Sequence, residues 1–119
     1  MKNRIFHLRR IPNKLIIAET EPFFDENEEI IMNFATENYY IFFTHDRLIL
    51  MTSSEIYGNK GANLEIIPYK GISHIQIDMD SRHIQPISVD ITASGKEPLS
   101  FIFPANTDIY SLTRIICKK

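Results

Sequence analysis

A chain of 119 residues has room for one ordinary domain, and a 44% apolar share is in the globular range, so neither a second sizeable domain nor disorder fits. A net charge of −2 excludes a strongly basic nucleic-acid binder on global grounds, so no nucleic-acid partner is expected. The apolar share is rich in isoleucine and includes eight Phe and five Tyr, with few alanines, a bias toward pleated surfaces and so toward strands.

Residues 1–27 are read as an N-terminal extension of uncertain structure, broken by Pro12 and Pro22 and anchored to the core through Phe23-Phe24. Their charge is segregated: Lys2, Arg4, Arg9, Arg10 and Lys14 come first without an acid, then Glu19, Glu21, Asp25, Glu26, Glu28 and Glu29 without a base. Two solvated blocks folding back on each other account for this, because opposite charges this close cancel beyond roughly a 10 Å screening length.

From Glu29 onward the apolar period is close to two. Ile30, Met32 and Phe34 begin a first strand, and Tyr39 to Thr44 form a second. Thr44-His45-Asp46-Arg47 is a polar interruption of hairpin length, with Asp46 the natural turn residue, and Leu48 to Met51 form a third strand. Gly58, Asn59, Lys60 and Gly61 make Ser53–Asn63 a predicted turn or loop. Leu64 to Tyr69 form a fourth strand, which Pro68 confines to a sheet edge or a bend because it lacks an N–H.

Ile72 to Met79 form a fifth strand, with Ile75, Ile77 and Met79 on one face and His74, Gln76 and Asp78 on the other. After a loop over Asp80–Pro86, Ile87, Val89, Ile91 and Ala93 alternate with Ser88, Asp90 and Thr92, the clearest half-buried strand in the chain. Ser94-Gly95-Lys96 turns into a seventh strand carrying Leu99, Phe101 and Phe103, which Pro104 stops. The period then changes. Asn106, Thr107 and Asp108 are all good N-caps, and Ile109, Leu112 and Ile116, with Tyr110 and Ile115, make an apolar stripe at helical spacing over about 12–14 residues. Lys118 and Lys119 suit the negative end of the helix dipole. The predicted fold is mainly β: a strongly bent seven-stranded sandwich or partly open barrel, its open end capped by the C-terminal α-helix.

That order of elements resembles the pleckstrin-homology (PH) superfold. Phe43-Thr44-His45-Asp46-Arg47-Leu48-Ile49-Leu50 resembles the F-T-x-x-R-L-I-L segment of the bacterial PH family. Ile67-Pro68-Tyr69-Lys70-Gly71-Ile72 resembles its I-P-Y-K-x-I segment, and Val89-Asp90-Ile91-Thr92-Ala93-Ser94-Gly95 its strand and turn before the last strand. All three fall in order and at fitting spacing, covering a PH-like domain at residues 28–119. Two features depart from the pattern: Ser73-His74-Ile75-Gln76-Ile77-Asp78 replaces a glycine-rich, more acidic stretch, and the basic N-terminal segment has no counterpart. The resemblance implies a soluble bacterial domain that forms homo-oligomers and brings no catalytic residues.

The candidate sites are few. Arg47 opens a strand after a tight turn; its five donors suit it either to a phosphate or to nearby carbonyls and Glu37, and the structural role is expected. Tyr69-Lys70 is read the same way, as strand-edge packing. Asp78, Asp80 and His83 have metal-ligand chemistry, but they are local and lack an evident fourth ligand, so they are read as a solvated turn and no metal or cofactor is assigned. Ser53-Ser54 has no glycine elbow, His7, His45, His74 and His83 are scattered, and the four glycines make no phosphate-cradling loop. Cys117, the single cysteine, cannot form an internal disulfide or a multi-thiol zinc site and is read as a small buried hydrophobe. No catalytic activity is therefore expected.

Lipid binding by PH domains uses bases around the loop between the first two strands, and here that loop is Thr36-Glu37-Asn38, with one acid and no base. The N-terminal bases Lys2, Arg4, Arg9, Arg10 and Lys14 are instead the candidates for weak contact with an anionic surface. A cytoplasmic location is expected. No stretch approaches the ~18 apolar residues of a membrane span. Leu15-Ile16-Ile17-Ala18, ended by Glu19, is too short for a signal-peptide core. The functional expectation is a non-catalytic interaction module that self-associates and binds a protein partner; the alternative is peripheral binding to anionic lipid through the N-terminal bases.

Overall fold

The computed structural model describes residues 4–12, 23–25, 28–56 and 59–118. Nine strands and one helix follow in order: β1 (Arg4–His7), β2 (Arg9–Ile11), β3 (Ile30–Ala35), β4 (Tyr40–Thr44), β5 (Arg47–Ile56), β6 (Asn59–Pro68), β7 (Ile72–Asp78), β8 (Ile87–Ala93), β9 (Leu99–Phe103) and α1 (Ile109–Cys117). They form two sheets, β1-β9-β8-β7 and β2-β3-β4-β5-β6, which are not closed into a barrel. Every pairing is antiparallel except β1 with β9.

Two corners join the sheets. At the first, β1 pairs with β9 and β2 pairs with β3, while Leu8 between them donates its amide to the Ile102 carbonyl at 2.9 Å. Phe6 and Leu8 point inward, so the N-terminal strands belong to both sheets and to the core. The sequence pattern assigned no strand before residue 28. Strands of four and three residues are too short to display a period. At the second corner a single 3-10 turn, Tyr69–Gly71, carries the chain from β6 to β7.

The expected loop over Ser53–Asn63 is also corrected. The β5/β6 ladder continues through Thr52↔Asn63 down to Ile56↔Asn59. Backbone pairing to a neighbouring strand holds this hairpin together without an alternating apolar pattern. Pro68 falls where its missing donor requires, at the last position of β6, on a strand that ends its sheet.

The core is aromatic. Phe34, Phe43, Phe101 and Phe103 are fully buried between the sheets, with ring centroids 5.1–6.4 Å apart. Phe6 stacks on Phe101 at 5.2 Å and meets Tyr39 edge-on at 5.0 Å. Each such contact adds about 0.5–1.5 kcal/mol beyond simple burial. On β8 the alternation is as the sequence reads: Ile87, Val89 and Ile91 are buried, Ser88 and Asp90 less so. A second cluster, Phe42, Ile49 and Met51, is covered on the far face of the other sheet, where Phe24 meets Phe42 edge-on at 5.7 Å. Phe24 is thus an anchor, whereas Phe23 is largely exposed.

Helix α1 is shorter than its pattern suggested, nine residues. Asp108 is the N-cap: its carboxylate accepts from the Ser111 amide at 3.2 Å and from the Ser111 hydroxyl at 2.7 Å. These bonds hold the Asp108 carboxyl below its ordinary value. Ile109, Leu112 and Ile116 are buried against the sheets. Tyr110 and Cys117, read as core-facing from sequence, are exposed, because they lie on the helix flank about a quarter turn from that stripe.

Candidate functional site

The motif residues that stand out in sequence meet in one polar knot. Thr44 Oγ1 donates to the Arg47 carbonyl and accepts from the amides of Asp46 and Arg47, each at 3.1 Å, which closes the β4–β5 turn. Tyr69 ties the second corner to that turn. Its hydroxyl donates to the Thr44 carbonyl at 2.6 Å and its amide donates to the Asp46 carbonyl at 3.0 Å. Burial pushes the Tyr69 phenol well above its ordinary value.

Arg47 reaches Glu28 with both arms of its fork, Nε to Oε2 at 2.9 Å and Nη2 to Oε1 at 2.7 Å, and also donates to the Phe23 carbonyl. It does not pair with Glu37, the acid that the sequence reading offers it. Burial pushes the Glu28 carboxyl up, but the Arg47 guanidinium and the Asp25 amide outweigh it, so Glu28 is held below the usual carboxylate range. Thr44, Arg47 through its Nε and Nη2 atoms, and Tyr69 therefore hold the turn and the corner together.

Of the five N-terminal bases, Arg4, Arg9 and Arg10 lie among the described residues. Lys2 and Lys14 lie outside the described residues. Arg4 bonds Glu65 at 2.7 Å and the Tyr39 hydroxyl at 3.1 Å. The guanidinium of Arg10 lies 5.7 Å from the Phe34 ring centre, and both Arg9 and Arg10 are exposed. Arg4 also edges a depression of about 400 Å³ beside the β3–β4 turn, whose floor includes Phe6, Tyr39 and Glu37. The basic and acidic blocks do not fold onto each other where described: Arg4 pairs with Glu65, Glu28 with Arg47, and Glu29 approaches His45 at 3.5 Å.

Asp78, Asp80 and His83 do not converge. Among the described residues no three His, Cys, Asp or Glu side chains are grouped as metal ligands, and Asp80 is engaged by Arg82 at 3.4 Å. Ser53 and Ser54 lie on β5, with side chains outside the described set. His74 and Cys117 border one groove without a hydrogen bond between them.

Two further surfaces were not visible in sequence, because they depend on which strands end the sheets. A groove of about 480 Å³ opens where β6 parts from β8 and β9, with Ile66, Ile67, Ala93 and Leu99 in its walls and Arg4, Glu65, Lys96 and Glu97 at its rim. A second, of about 320 Å³, runs between β7 and α1, with Tyr69, Ile72, Ile75 and Ile116 in its floor and Lys70 and His74 at its border. Beside it β7 ends its sheet, and among the described residues no strand pairs with its outer edge. On β7 Ile75 and Ile77 are half-buried, while His74, Gln76 and Asp78 are exposed.

Two sheets meeting at bent corners, with a C-terminal helix docked between them, define a PH-like domain. The family model for the bacterial PH domain matches residues 1–119, and the chain belongs to that family. Among solved structures it is similar to a DUF1696 family protein with a pleckstrin-homology domain from Shewanella loihica PV-4 (TM-score 0.71, 21% identity, 95% of this chain and 97% of that one). It is also similar to a pleckstrin-homology domain from Shewanella amazonensis SB2B (TM-score 0.57, 27% identity, 85% and 91%). A PH-domain-containing protein from Exiguobacterium sibiricum 255-15 shares the fold at TM-score 0.54 and 16% identity, covering 96% of this chain and 63% of that one. No curated protein matches. Among the described residues no helix is long and apolar enough to cross a membrane.

Proposed function

We propose that this chain is a non-catalytic, cytoplasmic PH-like interaction module that self-associates and presents a surface to a protein partner. The observation that carries this reading is the outer edge of β7, which no described strand pairs: seven residues with neither Pro nor Lys to guard them, bordered by an apolar-floored groove. Unpaired backbone donors and acceptors on such an edge recruit another strand. The polar residues of the β4–β5 turn and the β6–β7 corner support the same reading, since Thr44, Arg47 and Tyr69 hold the fold rather than a substrate. Light scattering coupled to gel filtration tests it: a mass above the 13.9 kDa of one chain is expected. A single-chain mass at every loading would refute self-association.

Peripheral contact with anionic lipid is a second reading, supported by the exposure of Arg9 and Arg10 on β2. Exposed charges act over roughly a Debye length, so such contact would be weak and salt-sensitive. Stable anchoring takes a second signal beyond a few bases.

A further inference from the structure

We propose that the groove between β6 and the β8–β9 hairpin binds a small zwitterion with an apolar body, of the class of a free apolar α-amino acid. Neither the β7 edge nor self-association enters into this site.

Two cross-links close the groove at its ends. At one, Ser94 donates its amide to the Gly71 carbonyl at 3.0 Å, tying the β8–β9 turn to the β6–β7 corner. At the other, Arg4 on β1 donates to Glu65 on β6 at 2.7 Å, with its second arm on the Tyr39 hydroxyl at 3.1 Å. Arg4 is in register with Leu99, and Leu99 with Ile91, so this second cross-link lies at the Ile91 end of the groove and the first at the end past Ala93. Between them Ile66, Ile67 and Pro68 form one wall and Ile91, Ala93 and Leu99 the other. Ile67, Ile91 and Leu99 also belong to the main core, so the groove reaches down between the sheets. Ile66 is 36% exposed at its lip, and covering that side chain is favourable. The volume of about 480 Å³ lies in the range of small-molecule sites, about 300–1,000 Å³. An extended peptide laid along β6 would collide with the cross-links as it left the groove, so the closed ends favour a compact occupant.

The rim selects the head of that occupant. Arg4 and Glu65 are spent on each other. Lys96 and Glu97, in the β8–β9 turn, also border the groove, and both are exposed. Among the described residues neither side chain forms a hydrogen bond or ion pair. One ammonium and one carboxylate at the same rim complement a molecule that carries both charges. Lys96 donates to its carboxylate, and Glu97 accepts from its ammonium. A simple carboxylate meets the opposition of Glu97 as well as the attraction of Lys96, and a simple amine meets the reverse. The apolar body then covers Ile66 and Ala93.

Titration followed by two-dimensional NMR tests the site, with L-phenylalanine as the probe. Hydrocinnamate and phenethylamine keep the same body and each remove one charge. L-phenylalanine should shift the methyl signals of Ile66, Ile67, Ala93 and Leu99 along a saturable curve, and each analogue should bind about threefold more weakly, the scale of an exposed charge contact. Lys96→Gln should erase the advantage of L-phenylalanine over phenethylamine, and Glu97→Gln its advantage over hydrocinnamate. Both positions are exposed, so the melting temperature of either variant should stay near that of the parent. No saturable shift at the groove up to the solubility of L-phenylalanine would overturn the site. Equal binding of the three probes, or tighter binding of either analogue, would overturn the zwitterion, and unchanged preferences in the two variants would overturn the roles of Lys96 and Glu97.

Discussion

Leu112→Ala is the perturbation that asks most of the architecture. Leu112 is only 1% exposed and lies midway along the stripe of α1, facing a space bordered by Phe43, Ile75, Val89, Ile91 and Phe103. The residual void there is about 10 Å³, so the leucine fills its site and little slack exists for collapse. Truncating a buried leucine in so tight a place costs about 2–5 kcal/mol. A helix of nine residues has little stability of its own, so the loss falls on its docking. An unfolding entropy of about 2.1 cal/mol/K per residue gives this 119-residue chain roughly 0.25 kcal/mol/K at the midpoint. The melting temperature should therefore fall by about 8–20 °C. Differential scanning calorimetry at two protein concentrations separates core packing from subunit contact, because only the latter makes the shift depend on concentration. A variant melting like the parent at both concentrations would refute the placement of the helix between the sheets.

Ile91→Asp should abolish cooperative folding, since Ile91 is 1% exposed and an unpaired buried carboxylate costs several kcal/mol; a soluble variant with a sharp melt would contradict the β8 register. Arg47→Met should cost about 3 kcal/mol in urea denaturation, because it leaves the Glu28 carboxylate, 2% exposed, without its partner. Glu28 sits below its ordinary value in the fold, so its stabilisation is present above about pH 4.5 and is lost as pH falls through the depressed value; Glu28→Gln should flatten the acid limb of a stability–pH profile. Tyr69→Phe should cost about 1–2 kcal/mol by leaving the Thr44 carbonyl without its donor, measurable as a shifted denaturation midpoint. Flotation should show negligible binding to neutral vesicles and weak binding to anionic ones that physiological salt removes; tight, salt-resistant binding to one phosphoinositide would favour the lipid reading.

Periodicity makes parts of this fold legible in the sequence. Ile87, Val89 and Ile91 alternate with polar residues because one face of β8 meets the core and the other does not, and the structure keeps that division. Leu112 and Ile116 recur at helical spacing because α1 presents one stripe to the sheets. The arm of the β5/β6 hairpin was illegible for the converse reason: Ser53, Asn59, Lys60 and Gly61 carry no apolar alternation, and a ladder of backbone bonds leaves no trace in side-chain chemistry. The N-terminal strands were hidden by their length, and their partners β3 and β9 lie far along the chain. Arg47 was correctly read as a structural lock but assigned the wrong acid, since the approach of Glu28 is set by how the segment before β3 returns across the turn. The free edge of β7 could not be read at all. Its residues were assigned to the right strand and faces, but only the sheet order shows that nothing described pairs beyond it.

Self-association of this PH-like module is open to sedimentation velocity over about a hundredfold dilution, because a reversible assembly must respond to concentration by mass action. A self-associating chain should give a boundary faster than that of a 13.9 kDa species at high concentration, moving toward the single-chain value on dilution. A boundary that holds the single-chain value across the whole series would contradict it.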